Sequence, residues 1–312
     1  MRRKGVFHIS SIVSTLTFSR IGINDRERYT RLLAAGHRGS LEYSFTSNFI
    51  WREIYKLQAA EFDGHLIIMS DENCPSFIFP SGVGEVEKVV RSLYEYTQQR
   101  GKPLVFNTVL NEDRERLEAA FPGKFLLEPD RNDYDYVYES QRLITLSGKK
   151  LSAKRNHINK FKLDNPDWSY EPITRENLGE AHKMSLEWCL MAGCRDNNSL
   201  FDESCAVEQA FKHYFQLGLT GGLLRSGSRV IGFAMGEPLS ESTFVIHIEK
   251  AFHDIQGAYQ MINQQFASAN CAAYRYINRE DDAGDEGLRR AKLSYDPAFL
   301  VEKSSATLIA PL

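Results

Sequence analysis

The strand-like stretch HIEKA, His247 to Ala251, places two ionisable side chains near the end of an alternating segment. Residues two apart on a strand point to the same side, so His247 and Glu249 are expected to share a face. A glutamate in an apolar cleft has a raised pKa and can take a proton from an attacking amine. We therefore predict Glu249 as a general base, with a pairing to Lys250 or another base on an exposed strand face as the alternative. His247 is expected to pack or hydrogen bond within the sheet.

The chain then passes through a loop at Gly257 into an apolar helix. Helix N-termini bind anions because their unpaired N–H groups and dipole converge there, and glycine allows close approach of the backbone. Gly257, Ala258 and Tyr259 are therefore candidates for binding a donor phosphate. The alternative is that Gly257 only permits a tight turn into a core helix.

A second polar stretch, INREDDAGDEGLRRAKLSYDP over residues 277–297, follows a short strand and enters another helix. Asn278, Arg279 and Glu280 are predicted to bind substrate, since a guanidinium can hold a phosphate or carboxylate bidentately. Lys292 and Tyr295 are three apart, which predicts one shared helix face, and Lys292 is expected to steady an anionic group. Asp281 and Asp282 fit a function and the positive N-terminal end of a helix equally well, and Asp285 also fits that helix end.

A basic segment, residues 149–162, lies between two strand-rich halves. Its apolar Leu151, Ile158 and Phe161 fall at helical spacing, and seven of its fourteen side chains are basic. Such a helix can grip a tRNA acceptor stem or anionic headgroups, with strong salt dependence. Lys154 and Arg155 are the candidate contacts, and a solvated helix face is the alternative.

Three predicted antiparallel strands turn at Ser226-Gly227 and at residues 237–240 and then lead through the Gly257 loop into a helix. This order resembles the core of the GNAT N-acyltransferase fold, whose loop at this point cradles the pyrophosphate of acyl-CoA. The resemblance implies a carboxylate base on the strand of Glu249 and a proton-donating tyrosine. Tyr295 is the candidate for this tyrosine, and the alternative is that Tyr295 only packs in the core. Asp254 would repel a pyrophosphate and, with the altered loop spacing, weighs against acyl-CoA.

The basic helix resembles the start of the second domain of Fem-type peptidoglycan aminoacyltransferases, which use aminoacyl-tRNA. A closer resemblance is to the C-terminal domain of phosphatidylglycerol lysyltransferases and its cytosolic relatives. It implies a tandem GNAT-like fold with one working site in the C-terminal half, without implying a lysyl or lipid substrate. Four stretches carry it: YSFTSNFIWRE (residues 43–53), KRNHINKF (154–161), HIEKA (247–251) and the polar stretch 277–297.

The two halves share an order of strands and helices. Asn107 precedes Leu117, and Asn278 precedes Leu288, by ten residues in each half, which suggests a duplicated domain. We predict an α+β protein of two tandem GNAT-like domains, each a mixed, mostly antiparallel sheet flanked by helices. The domains are residues 1–145, expected to be degenerate, and residues 146–312, which carry the site.

The composition is that of an ordinary globular protein. Among 312 residues, 42% are hydrophobic and 25% charged, with net charge −3, so no global basic excess points to nucleic acid. Five cysteines without a CxxC spacing disfavour a disulfide framework and a zinc site, and fit a reducing cytoplasm. Residues 1–13 are not expected to form a signal peptide, and no window predicts a membrane span.

Taken with these features, the resemblance implies transfer of an aminoacyl group, from aminoacyl-tRNA, to an amine or hydroxyl. The acceptor would be a small molecule, a lipid headgroup or a peptide, and no bound cofactor or metal is expected. Two alternatives remain: an acyl-CoA-dependent N-acyltransferase, and a non-catalytic binding module that uses the groove between the domains.

Overall fold

The structure, a computed structural model, describes residues 16–36 and 39–312. It consists of two mixed β-sheets flanked by helices, which confirms the predicted α+β class. Residues 1–13, interpreted above as other than a signal peptide, lie outside the described residues. The described helices include none with the length and hydropathy that crossing a bilayer requires.

The first sheet contains a hairpin that turns at Asp63-Gly64, where both residues have positive φ, 47° and 73°. Positive φ at both central residues fits the turn that matches strand twist. Within the described residues, the strands of this sheet are β1 (Ser19–Arg20), β2 (Gln58–Phe62), β3 (His65–Ser70), β4 (Ser76–Ile78), β5 (Ser81–Gly82), β6 (Val105–Leu110), β7 (Phe125–Pro129) and β15 (Lys303–Leu308). Their order is β1-β2-β3-β4-β6-β15-β7, with β5 paired to β3.

The second sheet is built around the predicted antiparallel meander. Its described strands are β8 (Asp135–Glu139), β9 (Trp168–Pro172), β10 (Thr220–Ser226), β11 (Arg229–Pro238), β12 (Thr243–Ala251), β13 (Tyr276–Asn278) and β14 (Phe299–Val301). Their order is β14-β8-β13-β12-β11-β10-β9. Strand β12 pairs in parallel with β13, while the other described neighbours are antiparallel.

The helices cover the sheets through apolar faces. Helix α10 buries Met261, Ile262 and Phe266 against β10, β11 and β12, and α6 buries the predicted Ile158 and Phe161. The described α-helices are α1 (Arg26–Ala34), α2 (Phe45–Trp51), α3 (Val86–Gln98), α4 (Asn111–Ala120), α5 (Ser140–Thr145), α6 (Ser152–Asp164), α7 (Leu178–Ala192), α8 (Asn198–Lys212), α9 (Tyr214–Leu217), α10 (Ala258–Asn270) and α11 (Glu286–Leu293).

The two halves exchange a strand. Strand β8 lies between β13 and β14 in the second sheet, and β15 lies between β6 and β7 in the first. The sequence predicts β7 and β8 as a strand pair and residues 298–309 as one strand. Both expectations are wrong, because consecutive strands enter different sheets. Each sheet therefore contains strands from both sides of residue 145, and the boundary proposed there remains a prediction.

A buried polar network fixes this exchange. The ammonium of Lys303 donates to Asp135 at 2.6 Å and to Glu42 at 2.7 Å. Asn278 donates to the same Asp135 at 2.8 Å and to the carbonyl of Gly39 at 2.9 Å. Burial opposes the charge of Lys303, but the carboxylates of Asp135 and Glu42 raise its pKa. Lys303 therefore stays cationic and joins the two sheets.

The structure contains one pairing that the cysteine pattern did not predict. Cys189 and Cys194 form a disulfide with a Cα–Cα distance of 5.3 Å. Gly193, at φ 71°, ends α7 and turns the chain back, which brings the two residues together. The sequence disfavoured a disulfide framework, and this single disulfide joins residues five apart, while Cys271 is free and buried.

Candidate active site

The candidate site lies where β12 extends beyond its parallel partner. The two strands pair only from Thr243 with Tyr276 to Val245 with Asn278. Strand β13 then ends, so the second half of β12 faces the polar turn that follows Asn278. This geometry brings the two polar stretches singled out in the sequence to one place.

A β-bulge marks the same part of β12. Met235 pairs with Ile248 and Gly236 with Ile246, so His247 is the extra residue on the longer side. Bulges leave a residue outside the hydrogen-bond ladder and re-aim neighbouring side chains, and they recur beside active sites. Here the bulge lies two residues before Glu249.

Both carboxylate oxygens of Glu249 are held. Arg279 Nη2 donates to Oε1 at 2.9 Å, and Asn263 Nδ2 donates to Oε2 at 2.7 Å. The Glu249 and Arg279 side chains are 11% and 13% exposed, so the ion pair is largely shielded from water. Lys250 pairs instead with Glu203 on α8 at 2.6 Å. Glu249 thus pairs with a base other than Lys250, and this pair lies in a shielded position and not on an exposed strand face.

Aromatic rings and a second cation surround the guanidinium. Arg279 Cζ lies 4.8 Å from the ring centre of Tyr295 and 5.6 Å from that of Tyr138. Lys154 Nζ lies 4.2 Å from the Tyr295 ring. We call this group the Arg279 cluster; its members are Tyr138, Lys154, Glu249, Asn263, Arg279 and Tyr295.

Several polar atoms of the cluster have no partner within the described residues. Arg279 Nη1 and Asn263 Oδ1 are buried without a hydrogen bond. Burial raises the pKa of Tyr295, so its phenol keeps its proton, while burial and then Arg279 lower the pKa of Lys154. Unpaired buried donors and acceptors are costly and rare, so they mark a place where a ligand's polar groups can bind.

Lys292 supports the turn that carries Arg279. Its ammonium donates to the carbonyls of Arg279 at 2.6 Å and Glu280 at 3.1 Å, and also to that of Asp281. Burial lowers the pKa of Lys292 to about 8. Its three N–H groups are thus used within the chain. The predicted shared helix face is wrong, because α11 ends at Leu293 and Tyr295 lies beyond it.

His247 is held between two carboxylates. Its Nδ1 lies 2.7 Å from Glu280 and its Nε2 lies 3.3 Å from Glu237, and the side chain is 1% exposed. Glu237 also accepts from Ser44 at 2.7 Å and Thr46 at 2.9 Å. Burial would lower the pKa of His247, but the hydrogen bonds and charges of the glutamates raise it to about 10. The sequence indicated a hydrogen-bonded histidine but not its charge.

The remaining residues of the turn are structural in this geometry. Asn278 belongs to the Lys303 network described above, and Glu280 binds His247. Asp282 accepts from Tyr136 at 2.5 Å and from Arg289 at 2.7 Å. Burial alone would raise the pKa of Asp282, but these hydrogen bonds lower it to about 2.

The N-terminus of α10 is covered by α6. Gly257 has φ 84°, and a Cβ placed there would lie 2.4 Å from the carbonyl oxygen of His157. Ala258 is fully buried, and Tyr259 accepts a hydrogen bond from Trp188 at 3.0 Å. Close packing of α6 and the positive φ therefore account for a glycine at position 257.

Most of the described contacts of the basic helix are structural. Arg155 donates to the carbonyls of Leu146 and Gly148, the latter at 2.9 Å. Lys160 pairs with Asp164 at 2.8 Å. Lys154 is the basic residue of this helix that reaches the Arg279 cluster.

Sequence reasoning missed Asn263 and Glu237. Asn263 is fully buried on the sheet-facing side of α10, and a polar residue among Met261, Ile262 and Phe266 is the signal that could have identified it. Glu237 directly follows the buried apolar run of β11, and a charged residue at that place is a comparable signal. No group of three or more metal-ligating side chains suited to a metal ion occurs in residues 16–36 and 39–312.

Comparison with known proteins places this geometry in a family. The family model for the phosphatidylglycerol lysyltransferase C-terminal region matches residues 34–307. A conserved protein of unknown function from Bacteroides thetaiotaomicron is 37% identical, with TM-score 0.89 over 94% of this chain and 99% of that one.

More distant similarities occur in structure and in sequence. L-PGS from Bacillus licheniformis is 16% identical, with TM-score 0.61 over 92% of this chain and 93% of that one. An uncharacterized protein of Mycoplasmoides gallisepticum is 29% identical over 173 residues, 54% of each chain. The match thus spans about half the length of that curated relative. Since the family match covers most of the sequence, the chain belongs to the family of phosphatidylglycerol lysyltransferase C-terminal domains.

Proposed function

We propose that the Arg279 cluster transfers an acyl group, in the form of an aminoacyl group, to an amine or hydroxyl acceptor. Family and fold support an acyltransferase-like function. The observation that carries the proposal is the shielded Glu249–Arg279 ion pair, whose guanidinium lies beside Tyr295 and whose buried Nη1 has no hydrogen-bond partner among the described residues. The N–H groups of Nη1 can polarise an acyl carbonyl in a site with little water.

The proposed reaction conserves protons and charge. The acceptor nitrogen or oxygen forms a bond to the acyl carbon, and its proton passes to the Glu249 carboxylate. Negative charge develops on the carbonyl oxygen beside Arg279. The bond between the acyl carbon and the donor oxygen breaks, and the phenol of Tyr295 gives its proton to that oxygen. The proton on Glu249 then restores Tyr295 through solvent.

The donor in this proposal is aminoacyl-tRNA. Lys154 links the basic helix α6 to the cluster, so a nucleic acid bound along α6 would end near Glu249. Acyl-CoA is less favoured, because α6 covers the loop at Gly257 where a GNAT-like site would hold a pyrophosphate. Asn278, Glu280, Arg155 and Lys292 take supporting roles, and the proposed location is the cytoplasm, where aminoacyl-tRNA is found.

The test offers the purified protein labelled aminoacyl-tRNAs and labelled acyl-CoAs with amine and hydroxyl acceptors. We expect loss of the label from aminoacyl-tRNA and a decrease of about a hundredfold or more in Glu249→Gln and Arg279→Lys. The matched control is Glu203→Gln, a glutamate ion-paired to Lys250 and outside the cluster. Turnover of acyl-CoA alone would favour the N-acyltransferase alternative, and turnover of neither donor would favour the binding module.

A further inference from the structure

A chain of polar contacts connects the first half of the molecule to the turn that presents Arg279. It begins at Thr46 in α2, whose hydroxyl donates to Glu237 on β11 at 2.9 Å. It continues through the imidazole of His247 on β12 to Glu280, at 3.3 Å and 2.7 Å. Glu280 directly follows Arg279 in the chain.

The geometry requires a charged histidine. Glu237 and Glu280 face opposite nitrogens of one imidazole, and ionised carboxylates only accept hydrogen bonds. Both nitrogens donate only in the imidazolium form. The other groups on Glu237 are the hydroxyls of Ser44 and Thr46, which bring no charge.

The turn itself needs external support. Glu280 has φ 60°, a left-handed conformation that costs free energy for residues other than glycine. Its N–H group donates to Asn278 Oδ1 at 2.7 Å, and Lys292 binds the carbonyls around it. His247 adds the contact that fixes the Glu280 side chain. Because Glu280 directly follows Arg279, this contact also fixes the direction in which the Arg279 side chain leaves the turn.

We infer that His247 is a positioning residue, which as an imidazolium between Glu237 and Glu280 fixes the turn that aims Arg279 at Glu249. The inference rests on the proposed function for its catalytic consequence. It also assigns a role to the first half of the chain, because Thr46 and Ser44 orient Glu237. The half expected to be degenerate thus helps to build the site in the second half.

The first test does not depend on activity. Side-chain ¹⁵N signals of Arg279, assigned by their loss in Arg279→Lys, report whether the guanidinium is held. We expect the held signals of the wild type to shift towards those of a free arginine in His247→Gln. Thr46→Val, which keeps the shape but removes the hydroxyl, should shift them in the same direction, and Thr46→Ser should retain them. Unchanged Arg279 signals in both His247→Gln and Thr46→Val would overturn the inference.

The second test measures transfer. His247→Gln is expected to lower kcat by about tenfold or more with a smaller change in KM, because misaligned reacting groups lose rate before binding. Thr46→Val should lower kcat several-fold, and Thr46→Ser should keep kcat near that of the wild type. His182→Gln should leave kcat unchanged, because His182 pairs with Glu208 outside the site. If His247→Gln does not fold, the two Thr46 variants decide. If no donor is turned over, the proposed function fails. The ¹⁵N signals of Arg279 then still show whether His247 positions the Arg279 side chain.

Discussion

At Glu249, the carboxylate is ion-paired before any substrate binds. Arg279 Nη2 and Asn263 Nδ2 hold its two oxygens, and each oxygen keeps a further lone pair that can accept a proton. The acyl carbonyl is proposed to bind Arg279 Nη1, so one guanidinium orients both the base and the donor. Loss of either partner should therefore affect the same step of the reaction.

Lys292 is predicted to matter for stability as well as activity. Lys292→Met leaves three carbonyls of the turn without their donor, which should lower the free energy of unfolding by about 2 to 4 kcal/mol. Lys160→Met, which removes an exposed pair with Asp164, should cost less than about 1 kcal/mol. Denaturant unfolding of both variants is the measurement, and equal effects would contradict this role.

The charge of His247 predicts a pH dependence of stability. Its pKa is raised to about 10 in the folded protein, so its contribution is complete below its unfolded pKa of about 6.5 and is lost as pH rises through 10. Lys292 acts in the opposite direction, because its pKa is lowered to about 8 and its burial cost falls as pH rises. The informative quantity is therefore the unfolding free energy of the wild type minus that of His247→Gln.

That difference in unfolding free energy should decrease steadily from pH 7 to pH 10 as the imidazolium contribution is lost. Chemical denaturation of both proteins at several pH values measures this difference. The contribution of Lys292 is present in both proteins and cancels. A difference that stays flat over this range would show that His247 is neutral in the folded protein.

Sequence alone indicates part of the cluster. Glu249, Arg279, Lys154 and Tyr295 could be selected by residue type and position, and the fold brings them together. The role of Lys292 could not be predicted, because it depends on three carbonyls that meet only in the folded turn. The same holds for Asn263, whose partner lies on a different element.

On the scale of elements, the hydrophobic pattern identified α6, α10 and the meander from β10 to β12. Their hydrophobic faces are encoded locally, so they can be read from the chain. Strand pairing is not local. The partners of β7 and β8 depend on sheets assembled from distant segments, which is why the predicted pair was wrong.

The contact between α6 and α10 can be tested at Gly257. Gly257→Ala should destabilise the fold by about 3 kcal/mol or more, because the methyl group meets the His157 carbonyl and φ is positive. Gly193→Ala is the matched control, with φ 71° and open space around the added Cβ. It should cost about 1 kcal/mol from φ alone. Thermal unfolding of both variants separates the two effects, and equal losses would mean that α6 does not press on Gly257.

On the scale of the whole molecule, the strand exchange makes each half depend on the other. The first sheet lacks β15 without the second half, and the second sheet lacks β8 without the first. The sequence suggested a duplication, because Asn107 and Asn278 each precede a helix leucine by ten residues. The strand exchange could not be predicted in this way. The order of elements along the chain is the same whichever sheet the last strand of each half joins.

Separate fragments test this dependence and the boundary proposed near residue 145. Fragments 1–145 and 146–312 should each fail to give a cooperative unfolding transition, because each sheet loses an interior strand. Mixed or co-expressed fragments should associate and recover the transition seen for the intact chain. Cooperative unfolding of either fragment alone would show that the exchanged strand is dispensable for that half.

The most direct test of the central claim is the rate at which the intact protein removes a labelled aminoacyl group from tRNA in the presence of acceptor. We predict transfer by the wild type and by Glu203→Gln, and a loss of about a hundredfold or more in Glu249→Gln. Equal rates in Glu249→Gln and the wild type, or no transfer by either, would contradict the assignment of the Arg279 cluster as an aminoacyl-transfer site.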